Sequence, residues 1–404
     1  MRMPPQGKDH AAGEARALAV NLRRLATFNA LQMALFPVAI LTLYQRQTIG
    51  LDMQEILLIQ GIFGLSMVVL EFPSGYIADR IGYRRTLLIA SAVAFAGWCL
   101  YLVADSFTGL LLAEIVLGIS MALISGCDSA LLYESLLEMG EEDSFTRWTG
   151  RVRFAGQATE GTAALVAGVL FTISPILPFL LQLPVWAANF VVCLGLREPA
   201  RHVPPEPNHL RRMLAITRTA LWERADLRSV IALTVTLGLT SFLLVWIVPL
   251  YAIEAGLPAA WIGPMWTVAN YVVAITALAS DRLDRRIGTA NLTLLGLLLV
   301  AIGYTGLASV TAWWGFAFYF FLTAIRGLVA PALKHREQRL LPSGDRAGFL
   351  SLGSLLFRLS FFALGPAVGW WIDQAGFHQA IGGTGAFLFV LTALAWWKAR
   401  SALR

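Results

Sequence analysis

Charge is scarce in this 404-residue chain: Asp, Glu, Lys and Arg make up 14% of it, against about a quarter in an ordinary soluble domain. Cysteine is scarcer, with only Cys99, Cys127 and Cys193 and no CxxC pair, so neither a disulfide scaffold nor a thiolate metal site is expected. The five histidines, His10, His202, His209, His335 and His378, are scattered. No HExxH pair, G-x-S-x-G elbow or GxxxxGK[ST] phosphate loop occurs. The expectation is therefore no metal, no cofactor, no enzyme and no ATP-driven pump. Apolar residues abound instead, at 57% with a mean hydropathy of +0.66. At about 20 residues per crossing, a dozen membrane helices fit within this length.

Apolar runs near 25–45, 54–79, 84–104, 108–134, 151–173, 176–196, 229–253, 260–280, 289–308, 312–335, 346–372 and 378–398 predict twelve spans. All 31 Lys and Arg except Arg46, Arg326 and Arg358 fall in one alternating set of loops and ends. That asymmetry predicts cytoplasmic termini in a plasma (inner) membrane protein. It also accounts for the net charge of +6 without nucleic acid. The polar stretch before the first run lacks a cleavable signal, so that run is expected to serve as an anchor. The Pro-rich connection 197–228 divides the spans six and six. The expected organisation is a tail (1–24), a first bundle (25–196), a linker with an interfacial helix from Arg211 to Arg228 (197–228), a second bundle (229–398) and a short tail (399–404). Two six-helix halves are the organisation of a carrier built from parallel repeats.

An internal echo supports the repeat. Gly75-Tyr76-Ile77-Ala78-Asp79-Arg80-Ile81-Gly82-Tyr83-Arg84-Arg85 follows the second run, and Ala279-Ser280-Asp281-Arg282-Leu283-Asp284-Arg285-Arg286 follows the eighth. The first loop resembles the signature G-x-L-a-D-r-x-G-r-k of the major facilitator superfamily, with Tyr83 where that family usually has Arg. The resemblance implies an all-α membrane fold of twelve helices in two pseudo-symmetric bundles. It also implies a gate built from Gly75, Asp79, Arg80, Gly82, Arg84, Arg85 and Asp128, latched against the eleventh helix near Arg346. Two departures, Glu114 in the run Glu114–Gly118 and Gly365-Pro366 in the eleventh span instead of the fifth, point to an atypical exporter.

Ionisable groups deep in the bilayer cost about 2.5–3.5 kcal/mol each on insertion scales and usually line a wet path or pair with one another. Four stand out: Glu114, Glu160, Arg326 and Arg358. Glu160 and Arg358 lie roughly 13–18 Å from the inner surface at 1.5 Å per residue. Glu160 and Glu114 are candidates for proton coupling; Asn29, Gln32, Gln157, Trp246, Asn270, Arg326 and Arg358 are candidates for substrate binding. Static pairing of these charges is the alternative reading of the same pattern. The expected activity is proton-coupled export (antiport) of a small amphipathic metabolite or drug by a monomer embedded in lipid. A lipid flippase on the same fold, or a channel, is the alternative.

Overall fold

Backbone in hydrocarbon has no water to bond, so a spanning chain must satisfy its N–H and C=O groups internally. Every regular element among the described residues is accordingly a helix. The computed structural model describes residues 6–199, 217–340 and 346–403, apart from the side chains of 6–17, 71–73, 76 and 346–348. The longer helices are α1 (Gln6–Gln32), α2 (Met53–Ile81), α3 (Tyr83–Val103), α4 (Phe107–Ile124), α5 (Cys127–Glu138), α6 (Phe145–Ile173) and α7 (Gln182–Leu194). They continue with α8 (Ala225–Glu254), α9 (Ile262–Ile287), α10 (Thr289–Ser309), α11 (Tyr319–Leu328), α12 (Ala330–Arg339) and α13 (Arg346–Ala399).

Nine helical segments among the described residues are long and apolar enough to cross a bilayer. One, Phe349–Ala399, covers two of the expected spans, with a break at Gly376, whose φ of 79° suits a residue without Cβ. The first and fifth expected spans are not among the nine. The former is interrupted by turns between Gln32 and Leu41; the latter lies in α6, which carries Arg147, Arg151, Arg153 and Glu160. The fourth span also breaks, at Gly126 in the left-handed region (φ 83°), which separates α4 from α5. At the start of the chain α1 begins at Gln6, and Leu18, Asn21 and Leu22 are buried. The expected tail is thus partly core. Asn21 explains why: its side chain donates to the Arg197 carbonyl at 2.8 Å and accepts from the Arg197 amide at 2.9 Å. Of the expected interfacial helix, residues 211–216 lie outside the described residues; beyond them come a π-helical turn, Thr219–Glu223, and the start of α8 at Ala225.

The chain divides into two compact units, Met1–Val38 with Ile62–Pro205, and Ala39–Gly61 with Glu206–Arg404. The division passes inside α2. In the first unit, α3 packs on α4 and α7, and α1 on α6 and α7; its core holds Tyr101, Phe179 and Trp186. In the second, α8 and α10 pack on α13, and α9 on α11, around Leu243, Ile247 and Tyr251.

The second unit retains residues 39–61 for a visible reason. A Cβ on Gly369 would collide with the Met53 carbonyl and lie 2.6 Å from the Gln54 Cα, so α13 meets the α2 backbone directly at that point. One turn further, Asp373 accepts from the Met53 amide at 3.1 Å and the Gln54 amide at 3.0 Å. Asp52 and Glu55 complete the start of α2 by a reciprocal box, at 2.7 and 3.1 Å.

Candidate functional site

In the first unit, polar residues of α1 and α6 come together where Gly156 leaves room. A Cβ there would strike the Asn29 Oδ1, so the Asn29 carboxamide lies against α6 one residue before Gln157. Gln157 donates to Glu160 at 3.0 Å and is exposed. Gln32, 7% exposed, points from α1 to α4, where its Nε2 meets the Met121 sulfur at 3.7 Å. Its Oε1 is buried without a partner among the described residues. Asn29, Gln32, Gln157 and Glu160 therefore share one region of this unit.

Glu114 belongs elsewhere. It is 4% exposed and accepts from the Tyr101 hydroxyl of α3 at 2.6 Å. Tyr101 stacks on Phe179, with centroids 5.2 Å apart. The geometry suits a packing and hydrogen-bonding role between α3 and α4.

The basic loop after α2 is organised by a residue that the sequence reading passed over. Glu198, at the end of the first unit, accepts from the backbone amides of Tyr83 at 2.7 Å and Arg84 at 2.8 Å. The N-terminus of α3 thus receives a carboxylate where its donors are otherwise unpaired. Gly82, with φ 98°, makes the approach possible, since a Cβ there would touch the Glu198 carboxyl. Arg84 turns its guanidinium to the Leu194 carbonyl at 2.8 Å. Gly75, Asp79, Arg80 and Arg85 are exposed. Asp128 accepts from the Ser129 amide at 2.7 Å, and the cation acting on it electrostatically is Arg153 of α6. So Arg84 binds a carbonyl and Asp128 looks to Arg153. The side chain of Arg346, the expected latch partner, lies outside the described residues. An acid next to Arg197 was the available signal for Glu198, but its partners lie more than 110 residues away.

The second unit holds a cavity of about 400 Å³ between α8, α11, α12 and α13, within the size range of small-molecule sites, ~300–1,000 Å³. Its polar wall comprises Thr234, Ser241, Arg326, Lys334, Glu337 and Ser354; its apolar wall includes Leu237, Ile325, Leu333 and Phe357. Thr234 donates to Glu337 at 2.6 Å. Glu337 is 6% exposed, and Arg326 is hydrogen-bonded to Tyr319 on its own helix. Arg358 reaches Ser354 at 3.4 Å, one turn away on α13. Glu337 was missed because it follows Lys334 and Arg336, in a stretch that reads as an ordinary basic loop. Of the expected substrate-binding residues in this unit, Arg358, Asn270 and Trp246 are not among the residues lining this cavity. Asn270 bonds the Trp266 carbonyl of α9 at 3.3 Å, and Trp246 packs edge-on against Phe242. Among the described residues no cluster of His, Cys, Asp and Glu has the form of a metal site.

Comparison with known proteins follows the same line. The family profile described as Major Facilitator Superfamily matches residues 25–347. An uncharacterized MFS-type transporter, YxaM of Bacillus subtilis (strain 168), is 26% identical over 175 residues, 40% of this chain and 39% of the relative. The chain thus aligns with well under half of that relative's length. Among solved structures, a mutant of the nucleoside transporter NupG superposes with a TM-score of 0.80 at 12% identity, over 95% of this chain and 100% of the other. A D-xylose–proton symporter gives 0.71 at 12% identity, over 96% and 98%. A peptide transporter of the POT type gives 0.73 at 16%, over 96% and 95%. At these identities the likeness concerns the fold.

Proposed function

The chain belongs to the Major Facilitator Superfamily and is a membrane-embedded transporter, not an enzyme; from that premise we propose that it exports a small amphipathic molecule bearing an acidic group, in exchange for protons, by alternating access. The observation that carries this reading is the cavity of the second unit. Arg326 and Lys334 bring two cations to it against one carboxyl, Glu337, which Thr234 already engages. Such a wall favours an anionic group on the ligand, and the facing Leu237, Ile325, Leu333 and Phe357 favour an apolar body. Ionised groups kept among membrane helices at this cost are expected to serve the transported species.

Glu160 is the carboxyl we assign to proton coupling, with Gln157 beside it; Glu114, buried against Tyr101, takes the structural part. The gate residues around Asp79 control access at the basic end, the termini are cytoplasmic, the membrane is the plasma (inner) membrane, and the working unit is a monomer. A second reading, proton symport into the cell, draws support from the likeness to a D-xylose–proton symporter.

The test begins with a thermal-shift screen of amphipathic carboxylates, sulfonates and their neutral amides on the purified protein. The proposal expects acidic members to stabilise it, neutral isosteres to be weaker, and Arg326→Gln to remove the difference. The best binder is then followed into proteoliposomes under an imposed pH gradient, where accumulation against or with the proton flow separates antiport from symport. Equal stabilisation by acids and amides would count against the assigned substrate class.

A further inference from the structure

A second cavity, of about 460 Å³, lies where the basic turn between α9 and α10 meets the ends of α12 and α13. It is separate from the residues assigned to transport and rests on different observations. Two guanidinium groups line it, Arg336 of α12 and Arg400 just beyond α13. Arg336 uses its Nε on the Ala402 carbonyl at 2.6 Å, which restrains the side chain. Arg400 stacks over the Trp397 ring at 5.4 Å. The one acid in the lining, Asp284, is occupied by the Thr289 hydroxyl at 2.7 Å.

The lining also carries exposed aliphatic side chains beside its polar groups. Ile287 and Leu294 line it and are 40% and 47% exposed. Trp396, also in the lining, anchors its indole N–H on the Ala290 carbonyl at 2.9 Å. Tryptophans at this level mark the boundary between hydrocarbon and water. A cavity with two cations at its head and exposed aliphatic groups beside them matches a phosphate with acyl chains better than a freely soluble ion. Basic pockets between membrane helices take anionic head groups on these terms.

We infer that this cavity is a binding site for one anionic phospholipid, whose phosphate is held by Arg336 and Arg400 and whose glycerol and upper acyl chain lie along Ile287 and Leu294. The lipid would tie the turn between α9 and α10 to the ends of α12 and α13 without taking part in transport chemistry.

The experiment uses the full-length purified protein in detergent micelles doped with dioleoyl-phosphatidylglycerol or dioleoyl-phosphatidylcholine, with bound lipid counted by native mass spectrometry. The expected result is one retained phosphatidylglycerol per chain. Retention should be about tenfold weaker in the Arg336→Gln/Arg400→Gln double variant and several-fold weaker in Arg400→Gln alone. Phosphatidylcholine should be held equally by all three proteins. Arg400→Gln guards against misfolding, because that side chain is exposed and its removal leaves the Arg336–Ala402 bond in place. Equal retention of phosphatidylglycerol by wild type and variants would overturn the proposal. So would displacement of the lipid by inorganic phosphate with matching stabilisation, which would make this a soluble-anion site.

Discussion

Removing the Asp373 carboxylate tests how the second unit retains residues 39–61. Asp373 has one oxygen on the Met53 amide at 3.1 Å and the other on the Gln54 amide at 3.0 Å, with Arg46 Nη1 3.7 Å from Oδ1. Its side chain is 15% exposed, whereas Arg46 is 45% exposed. The ion pair is therefore worth little; of the two hydrogen bonds to helix-start amides, that to Met53 is part-buried and that to Gln54 is exposed. Loss of a capping carboxylate costs about 0.5–2 kcal/mol, and leaving the buried Met53 amide poorly solvated adds to this, up to about 3 kcal/mol in all. Asp373→Ala should lower thermal stability accordingly. Its sharper signature is local: amide exchange of a peptide covering 52–58 should quicken by roughly 10- to 100-fold, since each 1.4 kcal/mol of lost protection is a factor of ten. Asp373→Asn, which keeps one acceptor, should fall between. Unchanged exchange in that peptide alongside a normal melting temperature would show that the carboxylate does not hold the helix start.

Further expectations follow from the same geometry. Gly369→Leu should open the contact between α13 and the start of α2, destabilising by about 1–3 kcal/mol; a cysteine cross-link between 53 and 369 in a separate variant would check the proximity. Glu198→Ala should speed exchange of the Tyr83 and Arg84 amides and cost about 1–2 kcal/mol, with no such effect from Glu141→Ala, an exposed acid just beyond α5. Tyr101→Phe should cost about 1–3 kcal/mol by removing the hydroxyl that donates to the buried Glu114 carboxyl. In that variant the pH profile of transport should stay unaltered, and a displaced profile would return Glu114 to the coupling role.

The membrane helices were legible because hydropathy works one segment at a time. Each apolar run must bury itself in lipid or protein, whatever the distant chain does. The breaks were harder. The apolar run across Gly126 reads as one uninterrupted span, since a single left-handed residue leaves the hydropathy unchanged. Long-range polar partnerships were invisible for another reason. Asp373 and Met53 are 320 residues apart, and nothing in either local pattern announces a carboxylate aimed at a foreign helix start. Arg46 stood out by charge, as the lone cation of its side, and the structure places it beside Asp373. Glu337 was concealed by its basic neighbours. By contrast, Arg326 was recognisable from the cost of placing a guanidinium in an apolar run, and it does line the cavity of the second unit.

The account turns on protons driving the cargo through Glu160. Flux of the best-binding acidic amphiphile is measured in proteoliposomes across a series of imposed pH gradients, for wild type and for Glu160→Gln. The predicted outcome is wild-type flux that scales with the gradient and collapses with a protonophore, while the variant still exchanges labelled for unlabelled cargo but ignores the gradient. Wild-type flux indifferent to the gradient, or a variant with an intact gradient response, would contradict it.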